Sequence, residues 1–348
     1  MPRLLFVLAA ALPAAWPAPV TAQQLRIVTS LTTYASIARE VAGDRADVSS
    51  IARGDENPHF VQPRPSYVLD LKRADMFVTT GLDLELWVPT LLEKAGNSRI
   101  REGSPGYVTA YHGVDLLDVP AAVSRAGGDI HVFGNPHLWT DPVNGIIIAE
   151  NLRNALRRLD PEGAAEYDRR TADFRRRVLS AYVGAELLDL LGEDAVFDLA
   201  RRHGLWDFVT SQQYQGKPLR DRAGGWLADA AAFRGRLMVC YHKEWDYFSR
   251  AFGVPCVDYI EPKPGIPPTP RHVSDIITLM RDRSIRVLFS TNYYDANQVR
   301  SVAARTGAVP VMVPSNTGGV EGTESYIALV TLWVRALGNA FAGRPAHP

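Results

Sequence analysis

The sequence predicts an α/β protein of two lobes, each a parallel sheet flanked by helices, joined by one long spine helix. Three observations carry this prediction. Short apolar, β-branched runs alternate with longer amphipathic stretches from residue 25 onward. A long, charge-rich helical run interrupts the alternation in mid-chain, and the alternation then resumes. Strand–helix alternation is the pattern of parallel sheets covered on both faces. A chain of 348 residues has length for two such units.

In the first unit the strand segments are "LRIVTS" (25–30), "ADVSSIA" (46–52), "MFVTTG" (76–81) and "YVTAY" (107–111). A helix is expected over 66–74, entered through Ser66 as its N-cap. "TDPVNGIIIAENLRNALRRL" then opens a helix with Asp141 as N-cap and Pro142 in its first turn. A second Asp-Pro, Asp160-Pro161, starts a run of roughly thirty residues, about 45 Å if unbroken, suited to a spine between lobes. Beyond it come "RLMVCY" (236–241), "PCVDYI" (255–260), "RVLFST" (286–291) and "VPVMVP" (309–314). The last of these leads into the Gly-rich loop "SNTGGVEGTES" and a closing helix, "YIALVTLWVRALGNAF". The expected organisation is an N-terminal lobe over 23–159, a linking helix over 160–191 and a C-terminal lobe over 192–348.

The first 22 residues read differently. "MPRLLFVLAAALPAAWPAPVTA" has a basic start at Arg3, a short apolar run broken by Pro13 and Pro17, and small residues at Val20 and Ala22. That is a secretory signal with cleavage after about Ala22, too short and interrupted for a membrane span. An exported, periplasmic protein without direct membrane insertion follows. Lys+Arg and Asp+Glu both total 38, so no bulk field attracts nucleic acid or an anionic membrane. Cys240 and Cys256 lie in two strand segments that neighbour each other in a sheet if the pairing is favourable. An oxidising compartment permits a disulfide, and two buried thiols are the equal alternative.

No phosphate-binding G-x-x-x-x-G-K-[ST], no G-x-S-x-G elbow, no H-E-x-x-H helix and no dinucleotide fingerprint occurs. The informative residues are histidines. Asn-Pro-His occurs twice, at 57–59 and 135–137, and His242 directly follows "RLMVCY". His59, His137 and His242 thus stand at strand ends or a helix entry, where an open parallel sheet presents side chains to a ligand. Proline ahead of His59 and His137 fixes its own φ and extends the preceding Asn, which stiffens the approach of each imidazole. A lone loop histidine is ordinarily solvated, but three in equivalent positions point to a transition-metal site. His112, His131, His203, His272 and His347 lack this placement and read as surface residues, His131 set apart only by its polar loop close to His137.

These segments resemble the zinc- and manganese-specific solute-binding proteins of bacterial ABC importers. The resemblance spans nearly all of the mature sequence. It rests on "GDENPHFVQPRPSYVLDLKRADMFVTTGLDLELWV", on "NPHLWTDPVNGIIIAENLRNALRRLDPEGAAEYDRR" and on "VCYHKEWDYFSRAFGVPCVDYIEPKPGIPPTPRH". It implies two lobes with roughly four-stranded sheets, a metal held in the cleft between them, and delivery to a permease. His59, His137 and His242 fall on the family's first three ligand positions. Imidazole at the third position goes with zinc, manganese being second choice, in agreement with the softer donor's preference.

Three departures stand out. The place where the family usually has a fourth-ligand aspartate holds Ser315, leaving Glu321, Asp295 or a water as substitutes. The 113–133 loop carries only Asp115, Asp118, Asp129 and His131, too few for a metal-collecting loop. Residues 198–231 look like an insertion, in which Trp206, Phe208 and Trp226 are expected to pack locally. The expected function is therefore a monomeric periplasmic zinc-binding protein, not an enzyme, that hands its ion to an inner-membrane ABC permease. The rival is a secreted zinc hydrolase with a three-histidine site and Glu56, Glu244 or Glu321 as base.

Overall fold

The structure, a computed structural model, describes residues 24–120 and 131–344. The export signal expected at 1–22, as well as Asp129 and His347, lies outside the described residues. All eight expected strands are present. The first sheet contains β1 (Leu25–Thr29), β2 (Ala46–Ser50), β3 (Met76–Thr79) and β4 (Tyr107–Thr109), in the order β2-β1-β3-β4. After a two-residue hairpin of β5 (Gln213–Tyr214) and β6 (Lys217–Pro218) comes the second sheet. It contains β7 (Met238–Cys240), β8 (Cys256–Tyr259), β9 (Val287–Thr291) and β10 (Val309–Val313), in the order β10-β9-β7-β8. Every pairing within the two large sheets is parallel.

The period-two logic of strands divides the core. In β7, Met238 and Cys240 face one apolar cluster and Val239 the other, and in β9 Phe289 and Leu288 divide the same way. The larger cluster runs from β3 through the central helices into the second sheet, so both sheets share one continuous core. Trp139, Trp245 and Trp333 are fully buried in it, with Trp245 edge-on to Trp333 at 5.3 Å.

Two helix expectations need correction. The helix after the first Asn-Pro-His runs Pro65–Arg73 with Arg64 at the cap position, not Ser66. Pro65 dictates this, because its fixed φ suits the first helical position and its missing N–H costs nothing there. The thirty-residue spine is not one helix. A 3-10 turn at Pro161–Gly163 leads into Ala164–Val183, and the chain then breaks at Gly184 before Ala185–Leu191. Gly184 has φ +82°, and a Cβ there would stand 2.8 Å from Cα of Gly224. Close backbone approach, not charge patterning, sets the end of the helix. Asp141 does cap the helix Pro142–Leu159, its Oδ1 accepting from the Val143 N–H at 2.9 Å.

Cys240 and Cys256 form a disulfide across adjacent strands β7 and β8, with Cα atoms 5.5 Å apart. Within 198–231, Trp226 is buried and donates to Thr331 Oγ1 at 2.9 Å, whereas Trp206 and Phe208 are half-buried against the main core.

Candidate metal centre

The three histidines singled out by position converge. His59 lies in the turn Pro58–Phe60 beyond β2, His137 leads the turn Leu138–Thr140, and His242 stands two residues past the end of β7. Their ring centroids are 5.2 Å (His59–His137), 5.4 Å (His137–His242) and 5.7 Å (His59–His242) apart. All three are buried.

A fourth imidazole completes the group. His131 is buried at 6% exposure, not the surface residue expected, with its ring 5.1 Å from His59 and 5.6 Å from His137. One ligand nitrogen from each of His59, His131, His137 and His242 lies within 4.8 Å of all the others. Among the described residues the fourth nitrogen of the group thus comes from the loop ahead of His137, and none of the carboxylates considered above joins it. Asp295 is exposed and caps the helix Ala296–Thr306, and Glu321 is exposed. Ser315 is buried, its Oγ 3.5 Å from the Tyr293 hydroxyl. The one sequence signal for His131 was its nearness to His137 in a polar loop.

Both Asn-Pro-His tripeptides form the same turn. Asn57 Oδ1 accepts from the His59 N–H and Asn135 Oδ1 from the His137 N–H, each at 3.1 Å. Such Asx turns hold the backbone two residues on, and Trp87 Nε1 pins the first loop by donating to the Pro58 carbonyl at 2.8 Å. Beyond the turn the two differ. His137 Nδ1 donates to Asn135 Oδ1 at 2.9 Å, while His59 Nδ1 has no hydrogen-bond partner among the described residues. His242 Nδ1 donates to the Glu261 carbonyl at 2.7 Å. With Nδ1 as donor, Nε2 of His137 and of His242 carries the lone pair. Nε2 of His59 and Nε2 of His137 are 3.1 Å apart. Tetrahedral zinc, with Zn–N near 2.0–2.1 Å, needs ligand nitrogens about 3.3 Å apart.

Burial, and then the neighbouring imidazoles, hold His59 and His137 well below the ordinary histidine range. Both are neutral at pH 7, the form that ligates. The carboxylates of the hydrolase reading are placed otherwise: Glu321 is exposed, Glu56 accepts from the Arg53 N–H at 3.2 Å, and neither belongs to the group. Glu244 is fully buried, pushed up to about 7 by that burial, and accepts from Thr291 Oγ1 and, at 2.6 Å, from the Tyr293 hydroxyl. Among the described residues the group is thus four buried imidazoles with no carboxylate.

Comparison with known proteins agrees in kind. The family model described as "Zinc-uptake complex component A periplasmic" matches residues 27–182 and 221–340. The gap, 183–220, overlaps most of the expected insertion. The chain is 27% identical to "Iron-binding protein YfeA" of Yersinia pestis, over 92% of this chain and 88% of that one. It is 24% identical to "Manganese ABC transporter substrate-binding lipoprotein PsaA" of Streptococcus anginosus, over 88% and 86%. Among solved structures, a crystal structure of ZnuA superimposes with TM-score 0.65 at 17% identity, covering 92% of this chain and all of that one. A Mn-bound periplasmic metal binding protein from Candidatus Liberibacter asiaticus gives 0.62 at 17%, over 91% of this chain and all of that one.

Proposed function

The chain belongs to the family of periplasmic zinc-uptake component A proteins, and we propose that its cargo is Zn²⁺, held by His59, His131, His137 and His242. Members of this family are metal-binding components of ABC importers, not enzymes, and work outside the membrane with a permease and its ATPase. The finer reading rests on one observation, the set of four buried imidazoles with no carboxylate among the described residues. Manganese favours oxygen donors and imidazole suits zinc, so an all-nitrogen set favours zinc over manganese. The relatives named for iron and manganese make this choice a matter for measurement.

In this reading the ion is cargo. Imidazoles replace its waters, and the inner-membrane permease receives it. Residues 1–22 are the export signal, cleaved after about Ala22, and the mature chain acts as a periplasmic monomer. It consists of an N-terminal lobe (23–159), a linking segment (160–191) and a C-terminal lobe (192–348). Among the described residues no helix is long and apolar enough to cross a membrane.

Calorimetric titration of the metal-free protein with Zn²⁺, Mn²⁺ and Fe²⁺ tests the proposal. Tight zinc uptake at one equivalent, lost in a His59→Ala/His242→Ala double variant, is expected. Stronger binding of Mn²⁺ or Fe²⁺ than of Zn²⁺, or full zinc binding by the double variant, overturns it.

A further inference from the structure

The two Asn-Pro-His motifs make the same turn but differ in what their asparagines reach. Asn57 is half-buried and serves its own loop. Asn135 is 3% exposed, and its carboxamide is engaged at both ends. Its Oδ1 accepts from the backbone N–H and from Nδ1 of His137. Its Nδ2 donates across to the other sheet's side of the molecule, to the Lys243 carbonyl at 2.9 Å and Asp246 Oδ2 at 3.2 Å, and also reaches Asp118 Oδ2 at 3.3 Å. Lys243 is the residue after His242. One amide plane therefore spans from the imidazole of one candidate ligand to the backbone beside another.

The backbone of Asn135 is held just as firmly. Its N–H donates to the Leu117 carbonyl at 2.7 Å, and its carbonyl accepts from the Tyr247 hydroxyl at 2.8 Å. The same hydroxyl accepts from the Leu117 N–H at 3.1 Å. Asp246 is fixed in turn by the Tyr259 hydroxyl at 2.6 Å. The acceptors Lys243 O, Asp246 and Asp118 force the amide nitrogen to face them, so the oxygen must face His137. A residue that only made the turn would need none of this.

We propose that Asn135 is a positioning residue for metal capture, coupling the aim of His137 to the contact between the two lobes. The proposal rests on the metal-capture reading above. Polar partners behind a ligating histidine fix its tautomer and ring orientation, and losing one typically weakens metal affinity ten- to a hundredfold. Here the partner is itself held from the opposite lobe, so the orientation of His137 depends on the seam being closed.

The test uses the full mature chain and ZnCl₂ in competition with a chromophoric chelator. Asn135→Ala is expected to weaken zinc binding ten- to a hundredfold and to alter the electronic spectrum of the Co²⁺-substituted site. Asn135→Asp keeps both acceptor bonds to His137 but turns a carboxylate towards Asp246, Asp118 and the Lys243 carbonyl, so it too is expected to weaken binding. Adding Asp246→Asn restores a donor at one of these three contacts, and the Asn135→Asp/Asp246→Asn pair is expected to bind zinc at least about threefold more tightly than Asn135→Asp alone. A general packing role would not produce that rescue. Wild-type affinity in either Asn135 variant, or no recovery in the pair, overturns the proposal. Nitrogen-15 spectra of the metal-free protein give a readout independent of zinc: His137 protonated on Nδ1 in wild type, with that preference lost in Asn135→Ala. If the wild type takes up no zinc, the capture reading falls, and the tautomer result still decides whether Asn135 sets His137.

Discussion

His131→Ala is the substitution that separates a four-imidazole site from the three-histidine site read in the sequence. His131 is buried, its ring within 5.1–6.5 Å of the other three. A closed four-ligand zinc site is worth about 10–16 kcal/mol, so one ligand in four accounts for about 2.5–4 kcal/mol. The space left by the imidazole is bounded by polar rings and is open to a water, which would fill the fourth position and return part of that loss. The expected net loss is about 2–3 kcal/mol, a fall in zinc affinity of roughly 30- to 150-fold. Chelator competition at pH 7.5 measures it, with the exposed His112→Ala as a control expected to match wild type. His59→Ala, which removes a nitrogen 3.1 Å from that of His137, should lose at least as much. A His131→Ala protein within twofold of wild type, beside a crippled His59→Ala, would refute the assignment of His131.

Burial pushes Asp141 up to about 6, so its charge costs stability fully above pH 6 and the cost is relieved as pH falls towards the ordinary 3.8. Asp141→Asn keeps the cap to Val143 and drops the charge. It should gain on the order of 2 kcal/mol over wild type at pH 7.5 and less at pH 5, by urea denaturation. Replacing Cys240 and Cys256 by alanine removes a cross-link of sequence separation 16 and should cost about 3 kcal/mol in the same assay. A Cβ at Gly145 would stand 2.2 Å from the Tyr326 ring, whose hydroxyl donates to the carbonyls of Trp139 and Asp141 just after His137. Gly145→Ala should therefore lower stability by about 1–3 kcal/mol in thermal melting and weaken zinc binding with it.

The eight strands were legible because a parallel sheet buried on both faces writes itself as apolar, β-branched runs, and these runs are short and well separated here. The Asp141 cap was legible for the same reason, being local chemistry within three residues. The break at Gly184 was not. It answers to Gly224, forty residues away, and nothing within the run "SAYVGAELL" distinguishes a helical glycine from one that must turn. Ser66 failed as a cap because the proline before it had already taken the first helical position.

The site divides along the same line between local and distant causes. His59, His137 and His242 could be found because each sits a fixed step from a strand or helix end, and the fold then aims it. His131 is not a fixed step from any strand or helix that the sequence announces. It stands four residues before Asn135, which is tied to Leu117 and to Tyr247, a residue more than a hundred positions on. The loop after β10 is likewise committed elsewhere. Asn316 and Thr317 bond to Thr33, the Thr317 carbonyl accepts from Thr32, and the Ser315 carbonyl accepts from Trp139. That segment serves as the seam between the lobes, and the serine where the family resemblance expects an aspartate belongs to it. Three of the four imidazoles consequently come from the first lobe and only His242 from the second. Among the described residues the group offers imidazole nitrogens and no carboxylate to a dication. A site of that kind discriminates by donor softness and geometry instead of charge, which is why metal selectivity, more than affinity, is the property on which this reading stands.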